Sequence, residues 1–325
     1  MDFHTRIAPT PSGFLHLGNG ASFVATWALA KAYGGKISLR IDDLDTERMR
    51  PEYVEDIFKT LDWLGIDWDK GAMSVGDFFK NWSQHHRLDI YEKMLDELKK
   101  TSLLYRCNCS RKDIQRYSNN GIYGNTCREN PVIYDNSREK NVLYEGNNAW
   151  RIRVDNPTNI QFSEFIKIAP LPSAVEQVQI SLDTVMGDFI VRQKNGLPSY
   201  QLASLADDDF FNINFIVRGM DLRSSTAAQV FLAEQLGLTT FTHNTFWHHP
   251  LIMAHQGVKL SKSKGATALS EFRETGKSPV FVYKQAAQWL GLDAEKVNSL
   301  EDLREMLQIH LITHDNRYTS KKLIN

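Results

Sequence analysis

The chain has 325 residues with 42% hydrophobic and 24% charged side chains, which is ordinary for a globular protein of one large or two modest domains. It has no apolar run of about 18 residues and no basic and apolar leader, so we expect a cytoplasmic protein without a membrane span or signal peptide. The formal net charge of −1 does not favour nucleic-acid binding, so any RNA contact would need locally clustered basic side chains.

The first 65 residues alternate between strand and helix patterns. We predict strands over 5–8 and 36–41 and helices over 18–33 and 51–65. Pro51 suits the first turn of the second helix, whose apolar residues share one face. This order of elements predicts an α/β fold with a parallel sheet.

The middle of the chain has a different character. Residues 87–100 are predicted to be helical, 118–148 to form a loop rich in Asn and Gly, and 150–154 and 160–168 to form strands. We therefore predict an insertion of α+β type. The α/β pattern then resumes with these elements: strands 188–192, 215–218 and 247–253, helices 226–236, 280–290 and 300–308, and a lysine-rich loop at 259–265.

These patterns divide the chain into four predicted parts. Residues 1–100 are predicted to form the first half of the α/β domain and 101–184 the insertion. Residues 185–258 form the second half, and 259–325 form a loop with a short helical C-terminal segment.

The first loop, residues 9–18, joins a predicted strand to a predicted helix whose N-terminus suits a phosphate. Asn19 follows Gly18 where a P-loop needs Lys, and Phe23 stands where a dinucleotide fingerprint needs Gly or Ala. Asp42 suits the acid of that fingerprint, so a dinucleotide site stays as an alternative. His16 is either a loop histidine without a role or a donor to nucleotide phosphates.

The second loop begins Lys-Leu-Ser-Lys-Ser at 259–263. It is either a solvated basic loop or a set of lysines that stabilise charge on a triphosphate together with Mg²⁺. Activation of a carboxylate needs this charge stabilisation more than it needs a base, because the attacking group is already an anion.

The two loops resemble the "HIGH" and "KMSKS" signatures of class I aminoacyl-tRNA synthetases, in that order and more than 200 residues apart. Five further segments, 6–13, 39–48, 50–53, 196–203 and 216–222, resemble glutamyl-tRNA synthetases, and the match covers most of residues 5–265. The resemblance implies a Rossmann-type parallel-sheet core that is split by an insertion and that activates L-glutamate with ATP.

The resemblance also implies roles for individual residues. The catalytic residues would be His16, Lys259 and Lys262; the ATP-binding residues His16, Gly18 and Lys262; and the glutamate-binding residues Arg6, Ala8, Thr10, Asp42, Tyr200 and Arg218. Two residues depart from the family pattern. Asn19 replaces the last His of "HIGH", and Asp42 stands where glutamyl enzymes usually have Glu and glutaminyl enzymes have Asp, so glutamine stays as an alternative substrate.

The three cysteines lie within 21 residues, and an odd number without a secretion signal favours a metal site over disulfides. No histidine lies between His86 and His243, so a nearby fourth ligand would be an oxygen. The pattern Cys-x-Cys followed by Tyr-x3-Cys, at residues 107–109 and 123–127, resembles the zinc site of glutamyl-Q tRNA(Asp) synthetases. This resemblance implies structural Zn²⁺ in the insertion, bound by Cys107, Cys109, Tyr123 and Cys127. Three reduced thiols in a core are the alternative, which polar neighbours disfavour.

Only 62 residues follow Ser263, so we expect no anticodon-binding domain. Glutamyl-Q tRNA(Asp) synthetases lack one too and, by resemblance, attach glutamate to the queuosine base of tRNA(Asp). The alternatives are a truncated glutamyl-tRNA synthetase that charges a tRNA 3′ end and a catalytically silent RNA-binding paralogue. The expected partners are ATP, L-glutamate and tRNA, with no membrane and no obligatory protein partner. Candidate phosphate contacts, or equally a solvated surface, are Arg151, Arg153, Lys321 and Lys322.

Overall fold

Strands and helices alternate along most of the computed structural model, which describes residues 3–118, 121–130, 132, 148–168, 174–254, 258–259 and 267–314. The strands are β1 (His4–Ile7), β2 (Lys36–Leu39), β3 (Lys70–Gly71), β4 (Leu104–Cys107), β5 (Ala149–Ile152), β6 (Asn159–Lys167), β7 (Ala174–Ser181), β8 (Phe189–Arg192), β9 (Phe215–Gly219), β10 (Thr245–His249), β11 (Met253–Ala254) and β12 (Val258–Lys259). The helices are α1 (Leu17–Ala32), α2 (Pro51–Trp63), α3 (Val75–Asp77), α4 (Leu88–Lys100), α5 (Arg111–Tyr117), α6 (Leu182–Val185), α7 (Tyr200–Phe210), α8 (Arg223–Leu236), α9 (Thr239–Thr242), α10 (Leu269–Glu274), α11 (Val280–Leu290) and α12 (Leu300–His314).

The core is a parallel sheet in two parts. β1, β2 and β3 pair in parallel in that order, and β9, β10 and β6 pair in parallel, with β7 antiparallel to β6 at the edge. The parts meet where β1 lies beside β9, and Asn214 exchanges hydrogen bonds with the backbone of His4. The predicted α/β fold with a parallel sheet is therefore confirmed.

Local sequence signals account for several helix ends. Pro51 is the first residue of α2, a position where its missing N–H has no intrahelical partner to lose. Gly237 ends α8 in the left-handed conformation at φ 67°, which glycine adopts without the steric cost of a Cβ. Helix α11 has the bounds that the sequence predicts, and α12 extends beyond the predicted 300–308.

A second sheet is antiparallel, with the order β4-β5-β8. The sequence pattern assigns β8 to the second half of the α/β domain, whereas the structure pairs it with β5 of the antiparallel sheet. Strand β6 was placed in the insertion, but it pairs with β10 of the parallel core. Phe162 of β6 packs against Phe246 of β10 with ring centroids 5.4 Å apart, which explains this placement. The domain boundaries at residues 100, 184 and 258 remain a prediction. Both the β5–β8 pairing and the β6–β10 pairing join strands that lie on opposite sides of the predicted boundary at 184.

Other elements differ from the sequence pattern. The strand predicted over 247–253 ends at His249, because Pro250 has no N–H to donate to a neighbouring strand. Helix α7 was not predicted, since three consecutive aspartates are unusual in a largely buried helix. Strands β4 and β7 were also missed, and only parts of the predicted loop 118–148 lie within the described residues.

The helical C-terminal segment belongs to the main core. Helices α11 and α12 both pack on α1, and buried Leu290 and Leu303 join the cluster that contains Ile7 and Ile37 of the sheet. A second cluster joins the antiparallel sheet to the core, because Trp150 of β5 lies in the same cluster as residues of β6, α7 and α8. None of the helices in the described ranges combines the length and apolar composition needed to cross a membrane.

Gly71 at the end of β3 offers a test of this packing. Its φ is +122°, and an added Cβ would lie 2.3 Å from the carbonyl oxygen of Leu39. Gly71→Ala should therefore lower the free energy of unfolding by roughly 1–3 kcal/mol. The matched control is Gly76→Ala, where an added Cβ meets no atom within 4 Å. Urea denaturation followed by circular dichroism measures both variants, and equal midpoints for the two would contradict the prediction.

Candidate active site

A cavity of about 310 Å³ opens where β1, β9 and β10 end and α1 begins. Carboxyl ends of parallel strands are where open α/β sheets bind ligands. The cavity has a size suited to a small organic ligand. Seven residues predicted for the site line it: Arg6, Ala8, Thr10, His16, Gly18, Tyr200 and Arg218.

His16 caps helix α1. Its Nδ1 accepts a hydrogen bond from the N–H of Gly18 at 3.1 Å, and its own N–H donates to Oδ1 of Asn19 at 3.0 Å. Because Nδ1 is an acceptor, the proton of the neutral imidazole lies on Nε2, which makes Nε2 the donor of the ring. Asn19, noted above as a departure from the family pattern, thus closes the capping box.

Arg218 is a buried cation with unused donors. Its side chain is 4% exposed, and Nη1 donates to Oε1 of Gln229 at 2.8 Å. Among the described residues, neither Nε nor Nη2 has a hydrogen-bond acceptor, and Nε2 of Gln229 has none either. Burial lowers the pKa of Arg218 to about 10, so it stays charged at neutral pH. Buried donors without acceptors are costly, and an anionic ligand in the cavity would satisfy them.

Arg6, in contrast, forms hydrogen bonds within the protein through Nε and Nη1. Its Nε donates to Oδ1 of Asp208 at 3.0 Å, and Nη1 donates to the carbonyl of Val217 at 3.1 Å. Asp208 is fully buried and also accepts from Nη1 of Arg40 at 2.6 Å. Burial would raise the pKa of Asp208, but the charges of the neighbouring arginines outweigh it and lower that pKa.

Asp208 belongs to a buried network of ion pairs. Its described members are four arginines and three aspartates, which leaves one formal positive charge: Arg6, Arg40, Arg87, Arg218, Asp42, Asp207 and Asp208. Sequence reasoning missed Arg40, Arg87, Asp207 and Asp208. The only signal was an acidic run inside an apolar segment.

Asp42 does not line the cavity. Both of its carboxylate oxygens accept from Arg40, at 2.7 and 3.2 Å, because the two residues lie two positions apart at the end of the same strand. Burial raises the pKa of Asp42 although Arg40 opposes the shift. Among the described lining residues, Asp221 is the acidic side chain, and the sequence did not single it out.

Some residues that flank the second loop lie within the described ranges. β12 places the backbone of Lys259 opposite Met253, while Lys262 lies outside the described residues. After the loop, Ala268 forms an antiparallel bridge with His16, and the N–H of Leu269 donates to the carbonyl of Leu15 at 2.8 Å. The start of α10, after the second loop, is therefore bonded to two residues that line the cavity, Leu15 and His16.

An aromatic pair completes the lining near α1. His249 and Trp289 stack with ring centroids 4.1 Å apart and an interplanar angle of 12°. Nδ1 of His249 donates to the carbonyl of Pro250, so Nε2 accepts from the hydroxyl of Ser22 at 3.0 Å. The pattern of the sequence did not indicate this pair, since Trp289 reaches the cavity only through the packing of α11 on α1.

The cysteine cluster lies apart, beside the antiparallel sheet. The Sγ atoms of Cys107, Cys109 and Cys127 lie within 4.8 Å of one another, and those of Cys109 and Cys127 are 3.6 Å apart. The hydroxyl of Tyr123 is 3.5 Å from Cys107 Sγ and 3.6 Å from Cys109 Sγ. A zinc tetrahedron of three sulfurs and one oxygen has edges of about 3.5–3.8 Å.

The predicted ligands therefore suit zinc in their chemistry, and the three distances of 3.5–3.6 Å match the edges of such a tetrahedron. The guanidinium of Arg151 lies 3.8 Å from the centroid of the Tyr123 ring. A cation at this position offsets the negative charge that three thiolates and a tyrosinate bring to a metal.

Residues 2–323 match the family model described as tRNA synthetases class I (E and Q), catalytic domain. The chain belongs to this family. It is 32% identical over 290 residues to a glutamate–tRNA ligase of Symbiobacterium thermophilum. It is 34% identical over 281 residues to glutamate–tRNA ligase 2 of Syntrophus aciditrophicus. These alignments cover 86% and 84% of this chain but 56% and 54% of the relatives, so the synthetase-family chain spans little more than half of their length.

Solved synthetase structures share the fold. A glutamate–tRNA ligase of Elizabethkingia meningosepticum, in complex with its amino acid, matches with a TM-score of 0.69 at 23% identity, covering 95% of this chain and 64% of that chain. The glutamate–tRNA synthetase of Elizabethkingia anophelis matches with a TM-score of 0.70 at 22% identity, covering 95% and 65%. At these identities the likeness concerns the fold, so the roles of individual residues stay predictions.

The metal prediction is tested by composition and stability. Purified protein should contain about one zinc per chain, and Cys109→Ser should lose it and lower the melting temperature, because four protein ligands make a structural site. The matched control is Asn108→Ser, which changes the exposed side chain between two ligands. Elemental analysis and calorimetry measure both. Metal-free protein whose melting does not respond to added zinc or a chelator would reject the site.

Proposed function

We propose that this chain activates L-glutamate with ATP and Mg²⁺ to form glutamyl-adenylate and transfers the glutamate to a tRNA. The observation that carries the proposal is the buried guanidinium of Arg218, whose Nε and Nη2 have no acceptor among the described residues. A planar guanidinium matches a carboxylate with two parallel hydrogen bonds. The side-chain carboxylate of glutamate supplies the missing acceptors and the missing negative charge.

The rest of the amino-acid end is proposed around this contact. Ala8, Thr10 and Tyr200 line the same cavity as Arg218 and would enclose the substrate. Arg6 also lines the cavity, where Nε and Nη1 hold it to Asp208 and Val217, so its contact with the substrate would use its remaining N–H groups. The role of Asp42 on the α-ammonium has little support from the geometry, since Arg40 occupies both of its oxygens.

The other end of the cavity suits the nucleotide. The start of α1 offers backbone N–H groups and its positive dipole end, and His16 Nε2 is a donor at the same place. Gly18 lets the His16 ring pack closely, since an added Cβ would lie 3.1 Å from the ring. We propose that Lys259 and Lys262 complete this end, because their loop is anchored beside Leu15 and His16.

The reaction asks little base chemistry of these residues. The α-carboxylate of glutamate attacks the α-phosphorus of ATP, the bond to the bridging oxygen breaks, and pyrophosphate leaves with that electron pair. His16 and the lysines would stabilise the charge that grows on the phosphate oxygens, and Mg²⁺ bound with ATP supplies further positive charge.

Two acceptors are consistent with this activation. The cluster of Cys107, Cys109, Tyr123 and Cys127 supports the queuosine base of tRNA(Asp), because its pattern resembles the zinc site of glutamyl-Q tRNA(Asp) synthetases and its spacings suit zinc. The relatives named glutamate–tRNA ligases support the second candidate, which is charging of a tRNA 3′ end. We favour queuosine.

Substrate selection is tested at Arg218. ATP–pyrophosphate exchange should occur with glutamate and not with glutamine, because neutral glutamine cannot offset the surplus positive charge of the ion-pair network at Arg218. Arg218→Gln should lower kcat/KM for glutamate by roughly 10²-fold or more. Arg223→Gln is the matched control, since Arg223 pairs with Glu164 and does not line the cavity. Equal use of glutamine by the unmodified protein would contradict this assignment, and a folded protein without any exchange would favour a silent paralogue.

The acceptor is tested with labelled glutamate. Transfer to tRNA(Asp) that contains queuosine should be strong, and transfer to tRNA(Asp) prepared without queuosine should be absent. The product bond should also survive removal of the 3′-terminal adenosine of the tRNA. Equal labelling of both preparations, or labelling of tRNA(Glu) at its 3′ end, would reject queuosine and leave charging of a 3′ end as the function.

A further inference from the structure

Asp56 on α2 contacts the first loop from behind the cavity. Its side chain is buried, with 3% of the residue exposed, and it does not line the cavity. Oδ2 accepts a hydrogen bond from the N–H of Leu15 at 3.2 Å, and Oδ1 accepts from Nη2 of Arg273 at 2.9 Å. One carboxylate therefore links the residue before His16 to α10, the helix that follows the second loop.

The same two segments are joined by their backbones. The carbonyl of Leu15 accepts from the N–H of Leu269, the first residue of α10, at 2.8 Å, and His16 bridges to Ala268. Leu15 is thus held on both sides, by Asp56 at its N–H and by Leu269 at its carbonyl. This leaves the backbone at Leu15 little freedom to rotate.

Arg273 and the rest of α10 are also held in place by contacts with α2 and α1. Nη1 of Arg273 donates to Oγ1 of Thr60 at 2.8 Å, one turn along α2 from Asp56. The indole N–H of Trp63 donates to the carbonyl of Lys277 just after α10. Gly20 of α1 allows Leu269 to approach closely, since an added Cβ would lie 2.8 Å from Leu269 Cδ1. Helix α10 is therefore held against α2 and α1 at several points.

Only a carboxylate satisfies both contacts of Asp56. An amide in its place would accept from one donor and turn its own NH₂ group towards the other. It would also leave the guanidinium of Arg273 without a counter-charge at a largely buried place, whereas the ion pair is charge-assisted and directional.

We infer that Asp56 is a positioning residue for the activation reaction. Through Leu15 it sets the backbone that carries the His16 ring, and through Arg273 it ties this backbone to the helix that follows the second loop. The inference rests on the proposed function, in which His16 contacts ATP. Small displacements of positioned groups lower the rate of reaction, and about 1 Å can cost roughly 10²-fold.

The test uses Asp56→Asn and Arg273→Met in the full chain. Each should lower kcat of ATP–pyrophosphate exchange by roughly 10-fold to 10²-fold with little change in KM for glutamate, because the Arg218 end of the cavity is untouched. The double variant should lose no more than the worse single variant, since both remove one link. Arg273→Lys should recover part of the loss, because it restores the charge opposite Asp56.

A matched control separates positioning from stability. Arg128→Met removes a similarly placed arginine from the buried carboxylate of Asp188 in the antiparallel sheet, away from the cavity. It should lower the melting temperature to a similar extent without the loss in kcat. Equal losses in kcat for Arg128→Met and Arg273→Met, or normal kcat in folded Asp56→Asn, would overturn the inference.

Amide hydrogen exchange reports on the link without using the reaction. In Asp56→Asn the amides of Leu15 and Leu269 should exchange faster, while those of the antiparallel sheet should be unchanged. Unchanged protection at both amides would reject the link itself. If the unmodified protein shows no pyrophosphate exchange but Asp56→Asn loses protection at these amides, the proposed function has failed and Asp56 keeps only a structural role.

Discussion

The buried carboxylate of Asp208 is the contact on which the rest of the site depends. It binds Arg6 of β1 and Arg40, the residue after β2, and lies 4.0 Å from Arg218 of β9. It therefore joins the two parts of the parallel sheet where the cavity opens. Buried charges are tolerated only when they are paired and hydrogen-bonded, and Asp207 and Arg87 extend the pairing. The network holds one more arginine than aspartates among the described residues, and the surplus falls on Arg218. The fold thus presents a positive charge to the cavity and leaves its neutralisation to a ligand.

The chemistry is distributed over units that lie at different places in the fold. The amino-acid end of the cavity rests on the ion-pair network, whereas the nucleotide end rests on backbone geometry: the capping box of His16 and the bridge from Leu15 and His16 to Leu269 and Ala268. The cysteine cluster lies beside the antiparallel sheet in a small hydrophobic cluster of its own, while β5 of that sheet shares a larger cluster with the central strands. A metal there would stabilise the insertion.

Sequence patterns identified much of this arrangement. The strands and helices of the parallel core follow from their apolar patterns, and seven of the residues that the family resemblance implied lie together around one cavity. The ligand set of the proposed metal followed from the resemblance of the Cys-x-Cys and Tyr-x3-Cys pattern to the zinc site of glutamyl-Q tRNA(Asp) synthetases. Asp42 is the instructive exception. A carboxylate such as that of Asp42 could bind the α-ammonium of an amino acid, but in this fold it accepts hydrogen bonds from Arg40, two residues away.

Local sequence patterns therefore suffice for the family resemblance, for the α/β class with a parallel sheet, and for which residues can carry charge or bind metal. These properties depend on local patterns and on side-chain chemistry. The sequence does not show which arginine lacks a close carboxylate, because Arg6 and Arg218 look alike in it. Tertiary packing places Asp208 3.0 Å from Arg6 and 4.0 Å from Arg218, whose hydrogen bond goes to Gln229 instead. It also decided that β8 joins the antiparallel sheet and β6 the parallel one, and that Asp56 meets Leu15 and Arg273. Such contacts join residues up to about two hundred positions apart, and no local pattern records them, because they depend on how whole elements pack.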